Sequence, residues 1–358
     1  MKELDQYIER ALHGDDSYFA VDRAPGAFEE DLLTMRGRCR ELAAEFGAGV
    51  RNIYLVGAGG ALANVVPLKA IFDRLLTIPS DEYQGYALVG QEPTQLGPDS
   101  LVFLASNTGE TEDTLAALRF ARSRGARTIA VGANETSTLA QEADASVGHA
   151  EWDDNIFLPP LLVALALSDR IADEVLAAEL LAGLDAVPGA LRQAVSVELP
   201  RAQERAREFL GTTHFFVLGS GVLSALAYKL AYNIVMENVR ISAAFIDALE
   251  YRHGPCEALE RSRPDMLFLL GTDWSREQTL RTLDACHHGG AHTLVYDAAD
   301  YEGLHPLLTP LVLYMAVQPF VIHSAVARGI VDLYPRVFMG GRGSYSFERS
   351  GMEGAGSR

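Results

Sequence analysis

A chain of 358 residues with 48% apolar residues is long enough for two buried cores, and therefore for two domains. Its formal net charge of −18 argues against nucleic acid and anionic membranes as partners. Three scattered cysteines without a C-x-x-C pattern predict neither a disulfide framework nor a structural zinc site. The start, MKELD, lacks a signal-peptide pattern, and no uninterrupted apolar run of about 18 residues occurs, so a cytoplasmic location is expected.

The first half of the chain alternates predicted strands and helices. An N-terminal extension over 1–27 precedes an amphipathic helical pattern that ends near residue 46. Strands are predicted at 52–56, 86–89, 101–105, 128–131 and 146–148, with helices between most of them. This alternation predicts βαβ units in a doubly wound parallel sheet, whose ligands bind at the carboxyl ends of the strands.

The second half repeats the pattern after a largely helical stretch over 157–194 and a further helix at 200–210. Strands are predicted at 215–218, 266–271 and 293–296, a long helix at 223–238, and a last apolar helix at 311–328. Both halves open with a strand, a glycine loop and a helix, about 160 residues apart, which indicates an internal duplication. The predicted fold class is therefore α/β, with two tandem doubly wound parallel-sheet domains over 28–195 and 196–345. A disordered tail is predicted at 346–358.

The segment SNTGETEDT at 106–114 follows a buried strand and opens a helix. Ser106, Thr108 and Thr111 can turn hydroxyl groups toward one point without adding charge, and Gly109 lets the backbone come close to an anion. The N–H groups at the start of the helix favour an anion as well. An ordinary helix cap is the alternative, but a cap explains one polar side chain rather than three hydroxyls. The pattern therefore predicts a phosphate site.

The glycine loop at 57–61, GAGGA, matches no nucleotide-binding motif in full. Leu62 stands where the dinucleotide fingerprint has its third glycine, and no G-K-[ST] follows, so a nicotinamide site and a P-loop are both rejected. In the second half, the segment GTDWSR at 271–276 lacks the matching glycine and carries Asp273. Only one phosphate site is expected for this reason.

Residues 106–114, the two glycine openings and RHGP at 252–255 together resemble the sugar isomerase (SIS) family, over about residues 28–343. Tandem members include the isomerase half of glucosamine-6-phosphate synthase and the fructosamine-6-phosphate deglycases. The resemblance implies two flavodoxin-like SIS domains. It also implies that the family's S-x-[ST]-G-x-T phosphosugar loop is formed here by Ser106, Thr108, Gly109 and Thr111, with Asn107 among them.

The resemblance further implies two catalytic residues in the second domain. The family uses a Glu on the long helix and, sixteen residues later, a His in an H-G-P triplet, which match Glu237 and His253. Glu237 would carry the proton, and His253 would assist ring opening. An exposed helical Glu and a packed turn His are the alternatives. Gly59, Glu250 and Arg342 are assigned to substrate binding.

In similar proteins the His comes from the partner subunit, so a homodimer with a shared active site is implied. No metal or organic cofactor is expected. The small-molecule partner would be a phosphorylated sugar or fructosamine.

Among tandem members, the sequence is similar to the deglycase branch. EYRHGP at 250–255 is similar to the E-F-F-H-G-P of that branch, and FMGGR at 338–342 resembles its Y-M-G-K. Two positions depart from the family: Ala61 stands where a Ser is usual, and Gly341 stands where related enzymes have a C-terminal Lys. The branch implies cleavage of a 6-phosphorylated fructosamine to glucose 6-phosphate and an amine. An aldose–ketose or amino-sugar phosphate isomerase and a non-catalytic sugar-phosphate sensor stay open as alternatives.

Overall fold

The computed structural model describes residues 2–14, 20–132, 134–148, 153–262, 264–331 and 333. These residues form two compact units: the first unit is Glu30–Ala177, and the second unit comprises Met1–Glu29 and Ala178–Leu333. The domain boundaries expected from the sequence, after residues 27 and 195, remain predictions. The tail expected at 346–358 lies outside the described residues.

The first unit contains a sheet of five parallel strands in the order β2-β1-β3-β4-β5. The strands are β1 (Asn52–Gly57), β2 (Ser80–Gln84), β3 (Ser100–Ala105), β4 (Arg127–Gly132) and β5 (Ala145–Gly148). All residues of β1 and β3 are buried, as expected for central strands of a parallel sheet with both faces covered. The edge strand β2 has the polar sequence SDEYQ and is mostly half-buried or exposed.

Helices cover this sheet and close its core. They are α2 (Ala24–Phe46), α3 (Gly59–Val65), α4 (Pro67–Leu75), α5 (Gly85–Gln91), α6 (Glu112–Ser123), α7 (Thr138–Glu142) and α8 (Leu158–Ala166). On one face of the sheet, Val102 and Leu104 of β3 pack in a buried cluster with Leu118 of α6 and Leu139 of α7. This packing fixes α6, and with it the segment that joins β3 to α6.

The strand predicted at 86–89 is wrong, because these residues belong to α5 and the strand of this region is β2. The Gln84 side chain accepts a hydrogen bond from the N–H of Ala87 at 3.1 Å and caps the helix. A run of four apolar residues fits a buried helix as well as a buried strand, so periodicity alone could not separate the two.

The second unit repeats this architecture with four parallel strands in the order β7-β6-β8-β9. The strands are β6 (His214–Gly219), β7 (Ser242–Asp247), β8 (Asp265–Leu270) and β9 (Thr293–Asp297). In both sheets the second strand lies at the edge, the first lies beside it, and the third and fourth follow. The predicted α/β fold with two doubly wound parallel sheets is therefore confirmed.

The main helices of the second unit are α1 (Lys2–His13), α9 (Glu174–Glu208), α10 (Ser224–Lys229), α11 (Arg276–His288) and α12 (Thr309–Ala327). The separate helix predicted at 200–210 is wrong, because α9 continues through Pro188 and Pro200 to Glu208. A proline removes one backbone donor from a helix, but buried side chains on both sides of Pro200, such as Val195 and Ala202, hold α9 in place.

The segment Pro306–Ala327, which contains α12, is long and apolar enough to cross a membrane by length and composition. Of its most apolar window, however, 83% is buried inside the protein. A core helix therefore accounts for its composition.

Candidate functional site

The carboxyl ends of β1 and β3 lie side by side, with Gly57 paired to Ala105. From β1 the chain moves to β2 on one side and then to β3 on the other, so this is the point where the strand order reverses. Open parallel sheets bind their ligands in the crevice at such a point. A Cβ on Gly57 would lie 2.9 Å from the Ala105 carbonyl oxygen, so glycine allows the close approach of the two strand ends. Gly59 begins α3 beside this crevice with a φ of 50°.

The segment after β3 folds around the hydroxyl of Ser106. This side chain is buried, and its Oγ accepts a hydrogen bond from the N–H of Gly109 at 2.9 Å. The same oxygen lies 3.0 Å from Oγ1 of Thr111. Gly109 has a φ of 70°, which lets the loop return toward α6 without strain. Of the three hydroxyls predicted to turn toward one point, the structure brings those of Ser106 and Thr111 together.

The outer part of the loop rests on the start of α7. The Thr138 N–H donates to Oε1 of Glu110 at 2.7 Å, and the Leu139 N–H donates to the Gly109 carbonyl at 3.0 Å. Thr108 is exposed at the loop tip, where its Oγ1 accepts a hydrogen bond from the N–H of Glu110 at 3.2 Å. These bonds hold the loop from both sides.

Some polar groups at this loop make no hydrogen bond to the described residues. Oδ1 of Asn107 is buried and has no hydrogen-bond partner among the described residues. Thr111 is the residue before α6, yet its side chain makes no capping hydrogen bond to the helix. The helix-cap alternative therefore does not account for the Thr111 hydroxyl. An unpaired amide oxygen beside the start of a helix suits a polar ligand.

Asp113 in the first turn of α6 is a buried carboxylate behind the loop. Burial raises the pKa of Asp113, and the hydrogen bond from the Thr114 N–H at 2.8 Å opposes that rise. The Gln84 amide also donates to Asp113. Sequence reasoning missed Gln84 because it missed β2, which positions this side chain.

In the second unit, the loop after β6 contains Gly221, and the side chain of Asp273 occupies this loop. Gly221 has a φ of 60°, and the carboxylate of Asp273 accepts hydrogen bonds from the N–H groups of Val222 at 3.1 Å and Ser275 at 2.8 Å. The backbone donors that an anion would use are thus paired with a buried side chain. The expectation of a single phosphate site remains a prediction.

Glu237 lies on the continuation of α10, where residues Leu230–Val239 adopt a π-helix. Its side chain is half-buried, and Oε1 accepts a hydrogen bond from Nδ2 of Asn233 at 3.4 Å. π-Helical turns are rare and occur often at functional sites, because they re-aim the side chains of a helix.

His253 ends a short 3₁₀ turn, Tyr251–His253, that follows β7. It is exposed, and its Nε2 accepts a hydrogen bond from Nε of Arg252 at 3.0 Å. His253 and Glu250 both line a cavity of about 610 Å³, together with Cys256. Glu237 is not among the described residues that line it. Arg342 lies outside the described residues.

Nothing in the sequence indicated that residues of α11 line one side of this cavity. Its lining residues on the helix are Gln278, Arg281, Thr282 and Ala285. Their spacing of three, four and seven residues places them on one helical face, which the sequence could have shown. It could not have shown that this face meets the turn of His253.

No group of three His, Cys, Asp or Glu side chains placed to hold a metal ion occurs among the residues that the structure describes.

Three comparisons with known proteins bear on this site. Residues 48–151 match the SIS domain family. The chain is 30% identical over 329 residues to the fructosamine deglycase FrlB of Bacillus subtilis, which covers 86% of this chain and 93% of that protein. It is 26% identical over 273 residues to the fructoselysine 6-phosphate deglycase of Escherichia coli, covering 75% of this chain and 80% of that protein.

A solved structure from Bacillus subtilis, assigned as a phosphosugar isomerase, superposes with a TM-score of 0.77 at 27% identity. The match covers 88% of this chain and 97% of that chain. The SIS domain match, the shared fold and the identity along most of both sequences show that this protein belongs to the SIS family of phosphosugar enzymes.

Proposed function

We propose that this protein is a deglycase that converts a 6-phosphorylated fructosamine and water to glucose 6-phosphate and a free amine. The observation that carries the proposal is the loop at residues 106–111, at the switch point of the first sheet, in a chain 30% identical to a fructosamine deglycase. The proposal includes that the protein is a cytoplasmic homodimer and acts on a small soluble substrate.

The loop is proposed to hold the phosphate with neutral donors. Ser106 is braced by Gly109 and Thr111, so the loop keeps its shape, while Thr108 at its tip and the α6 N-terminus offer further donors. Asn107 and Gly59 are proposed to contact the sugar part. Binding energy from the phosphate, which takes no part in the reaction, would then position the reacting carbons.

The reaction moves one proton and then consumes one water. A base removes a proton from C1 of the fructosamine, the electrons form the C1–C2 double bond of an enaminol, and the C2 carbonyl oxygen takes up a proton. Return of a proton to C2, with loss of the nitrogen proton, gives a C1–N imine. Water adds to C1 and the amine leaves, so that an aldose 6-phosphate remains. Each step is proton transfer or hydration.

Glu237 is proposed as the base that moves the proton between C1 and C2. Its place on a π-helix, with Asn233 on one carboxylate oxygen, supports an orienting environment. His253 is proposed to assist ring opening in the partner subunit's site, for which its exposure is suitable. Glu250 and Arg342 complete the proposed substrate-binding set.

The direct test measures glucose 6-phosphate release from a panel of fructosamine 6-phosphates, with fructose 6-phosphate and glucosamine 6-phosphate beside them. Glu237→Gln should lower kcat by about a thousandfold while binding persists, since a positioned base contributes about 10²–10⁴. The matched control is Glu260→Gln, an exposed Glu of the same unit, which should retain turnover. Retained activity in Glu237→Gln would remove Glu237 as the base.

The other outcomes select the alternatives. Turnover of a simple phosphosugar, with no cleavage of any conjugate, would make the protein an isomerase. Saturable phosphosugar binding without any product would make it a sensor.

A second experiment tests the shared site. Glu237→Gln and His253→Asn subunits are co-expressed with different tags, and the mixed dimer is purified. If His253 serves the partner's Glu237, the mixed dimer holds one site with both wild-type groups and should recover about half of the wild-type activity per dimer. If both groups act within one subunit, each of the two sites contains one substituted residue, and the mixed dimer stays inactive.

A further inference from the structure

Two of the three cysteines lie in the same part of the second unit. Cys286, on α11, is buried in an apolar cluster that includes Tyr251. Cys256 is half-buried, packs against this cluster from a 3₁₀ turn, Pro255–Glu260, and lines the cavity beside His253. One thiol is therefore open to a small solute, and the other lies in the core.

The 3₁₀ turn packs along the C-terminal half of α11. A Cβ on Gly289, the residue that caps α11, would lie 2.9 Å from Cδ1 of Leu259, so these two residues are in close contact. Cys256 lies three residues before Leu259, which is one turn of a 3₁₀ helix, and Cys286 lies about one turn of α11 before its C-terminal cap. Cys256 and Ala285, the neighbour of Cys286, also line the same cavity. The two cysteines therefore occupy adjacent positions of one packed interface.

The electrostatic environment also places both thiols near one phenol. Burial raises the pKa of Tyr251, and the thiols of Cys286 and Cys256 raise it further. Burial raises the pKa of Cys286 as well; the Tyr251 hydroxyl opposes that rise, and Cys256 adds to it. Because such effects weaken with distance, the two sulfur atoms lie on the same side of the cluster. Cys286 is thus kept as a neutral thiol that peroxide does not attack, since the thiolate is the nucleophile.

We propose that Cys256 is a site of reversible oxidation by hydroperoxides, and that Cys286 forms an intramolecular disulfide with the oxidised residue. The Cys256 thiolate attacks one oxygen of hydrogen peroxide, so that the O–O bond breaks, a sulfenic acid forms and hydroxide leaves. The Cys286 sulfur then displaces the sulfenic hydroxyl, which departs as water with the Cys286 proton. Overall, two thiols are oxidised to one disulfide and one peroxide is reduced to two waters. A transient disulfide of this kind is consistent with the proposed cytoplasmic location.

The disulfide would act on the turn that carries His253. In the reduced protein the Cys256 thiol donates to the carbonyl oxygen of Arg252 at 3.6 Å. A bond to Cys286 removes this donor and ties the turn to α11. Gly254, between His253 and Cys256, has a φ of 137°, which only glycine adopts readily, so a pull on Cys256 changes the backbone beside His253.

The test treats the reduced protein with hydrogen peroxide, unfolds it, blocks the remaining thiols with N-ethylmaleimide and maps the tryptic peptides by mass. Trypsin separates the two cysteines into peptides 253–261 and 282–328, each of which lies between consecutive arginines. The expected product is a linked pair of these two peptides, about 2 Da lighter than their sum. Two of the three thiols should be lost to alkylation, and dithiothreitol should restore both.

The third cysteine supplies the matched control. Cys39 is buried in the first unit, where burial raises its pKa to about 12, so Cys39→Ser should leave the linked pair unchanged. Cys256→Ser should keep Cys286 fully alkylatable. Cys286→Ala should leave Cys256 without a partner thiol, so that peroxide converts it to a sulfinic acid that dithiothreitol does not reduce. The wild-type peptide map decides the question even if Cys286→Ala does not fold.

A separate readout follows the effect on His253. Oxidised wild-type protein should release glucose 6-phosphate about tenfold or more slowly, and dithiothreitol should restore the rate, because a small displacement of an active-site group has a large effect on rate. The rate of Cys256→Ser should not respond to peroxide. This readout rests on the proposed deglycase function, whereas the peptide map does not.

Three results would overturn the modification site: both thiols still free after peroxide treatment, a sulfinic acid at Cys256 of the wild type without a linked pair, or a link between two copies of peptide 253–261. If the linked pair forms but the reduced protein cleaves no conjugate, the modification site stands and the deglycase function fails. If the reduced and oxidised proteins cleave conjugates at equal rates, the site stands and its effect on His253 is overturned.

Discussion

Replacing Asp273 by alanine should destabilise the second unit by about 2–4 kcal/mol. The carboxylate is 9% exposed and accepts hydrogen bonds from the N–H groups of Val222 at 3.1 Å and Ser275 at 2.8 Å, and from the Ser275 hydroxyl at 2.6 Å. Alanine leaves two buried N–H donors without an acceptor, and each such donor costs about 1–3 kcal/mol. A Cβ on Gly221 would lie 2.6 Å from Oδ2 of Asp273, so the loop fits closely around the carboxylate.

The assay is urea unfolding followed by circular dichroism, combined with hydrogen exchange at the Val222 and Ser275 amides. Asp273→Ala should lose stability and the protection of both amides. Asp273→Asn is the matched variant of the same size: it replaces one accepting oxygen with a donor, so it should lose about half as much. An Asp273→Ala protein within about 0.5 kcal/mol of wild type, with both amides protected, would refute the reasoning.

Two further predictions concern the hydroxyl loop at residues 106–111 and the pH dependence of stability. Ser106→Ala removes the acceptor of a buried N–H and should weaken phosphosugar binding about tenfold or more. Thr108→Ala, at the exposed tip of the loop, should have a smaller effect. Equal dissociation constants for the two variants would contradict this prediction. Burial lowers the pKa of His292, but hydrogen bonds to Glu208 at 2.9 Å and Asp265 at 2.8 Å outweigh burial and raise it. A raised pKa stabilises the fold fully below the unfolded value, about 6.5, and this stabilisation is lost as the pH rises through the folded value. His292→Gln should therefore cost more unfolding free energy at about pH 5.5 than at about pH 9, and a cost independent of pH would exclude this reading.

Most strands that the sequence predicted correctly have continuous apolar runs. β1, β3, β4, β6 and β8 have mainly buried residues, so hydrophobic pattern alone identifies them. The edge strands β5 and β9 were also predicted, although most of their residues are only half-buried. The strands it missed, β2 and β7, are edge strands with one neighbour each. An edge strand exposes more of its surface, so its apolar signal is weaker and it is more easily missed; β2, with the sequence SDEYQ, has no apolar run at all.

The candidate site likewise has one part that the sequence could predict and one part that it could not. The hydroxyl loop was predictable because its parts are consecutive in sequence and their chemistry follows from local backbone geometry. The cavity beside His253 was not, since it joins a turn after β7 to a face of α11. The roles of Glu237 and His253, and the substrate contact of Arg342, remain predictions.

By itself, then, the sequence determined the α/β class, the duplication and the hydroxyl loop at residues 106–111, because each depends on short-range periodicity or on neighbouring residues. Only the tertiary structure decided that Asp273 fills the second glycine loop, and that the turn of His253 shares a cavity with one face of α11. The physical reason is that both results depend on which distant segments of the chain come into contact. That outcome is fixed by packing across the sheet, which no local pattern encodes.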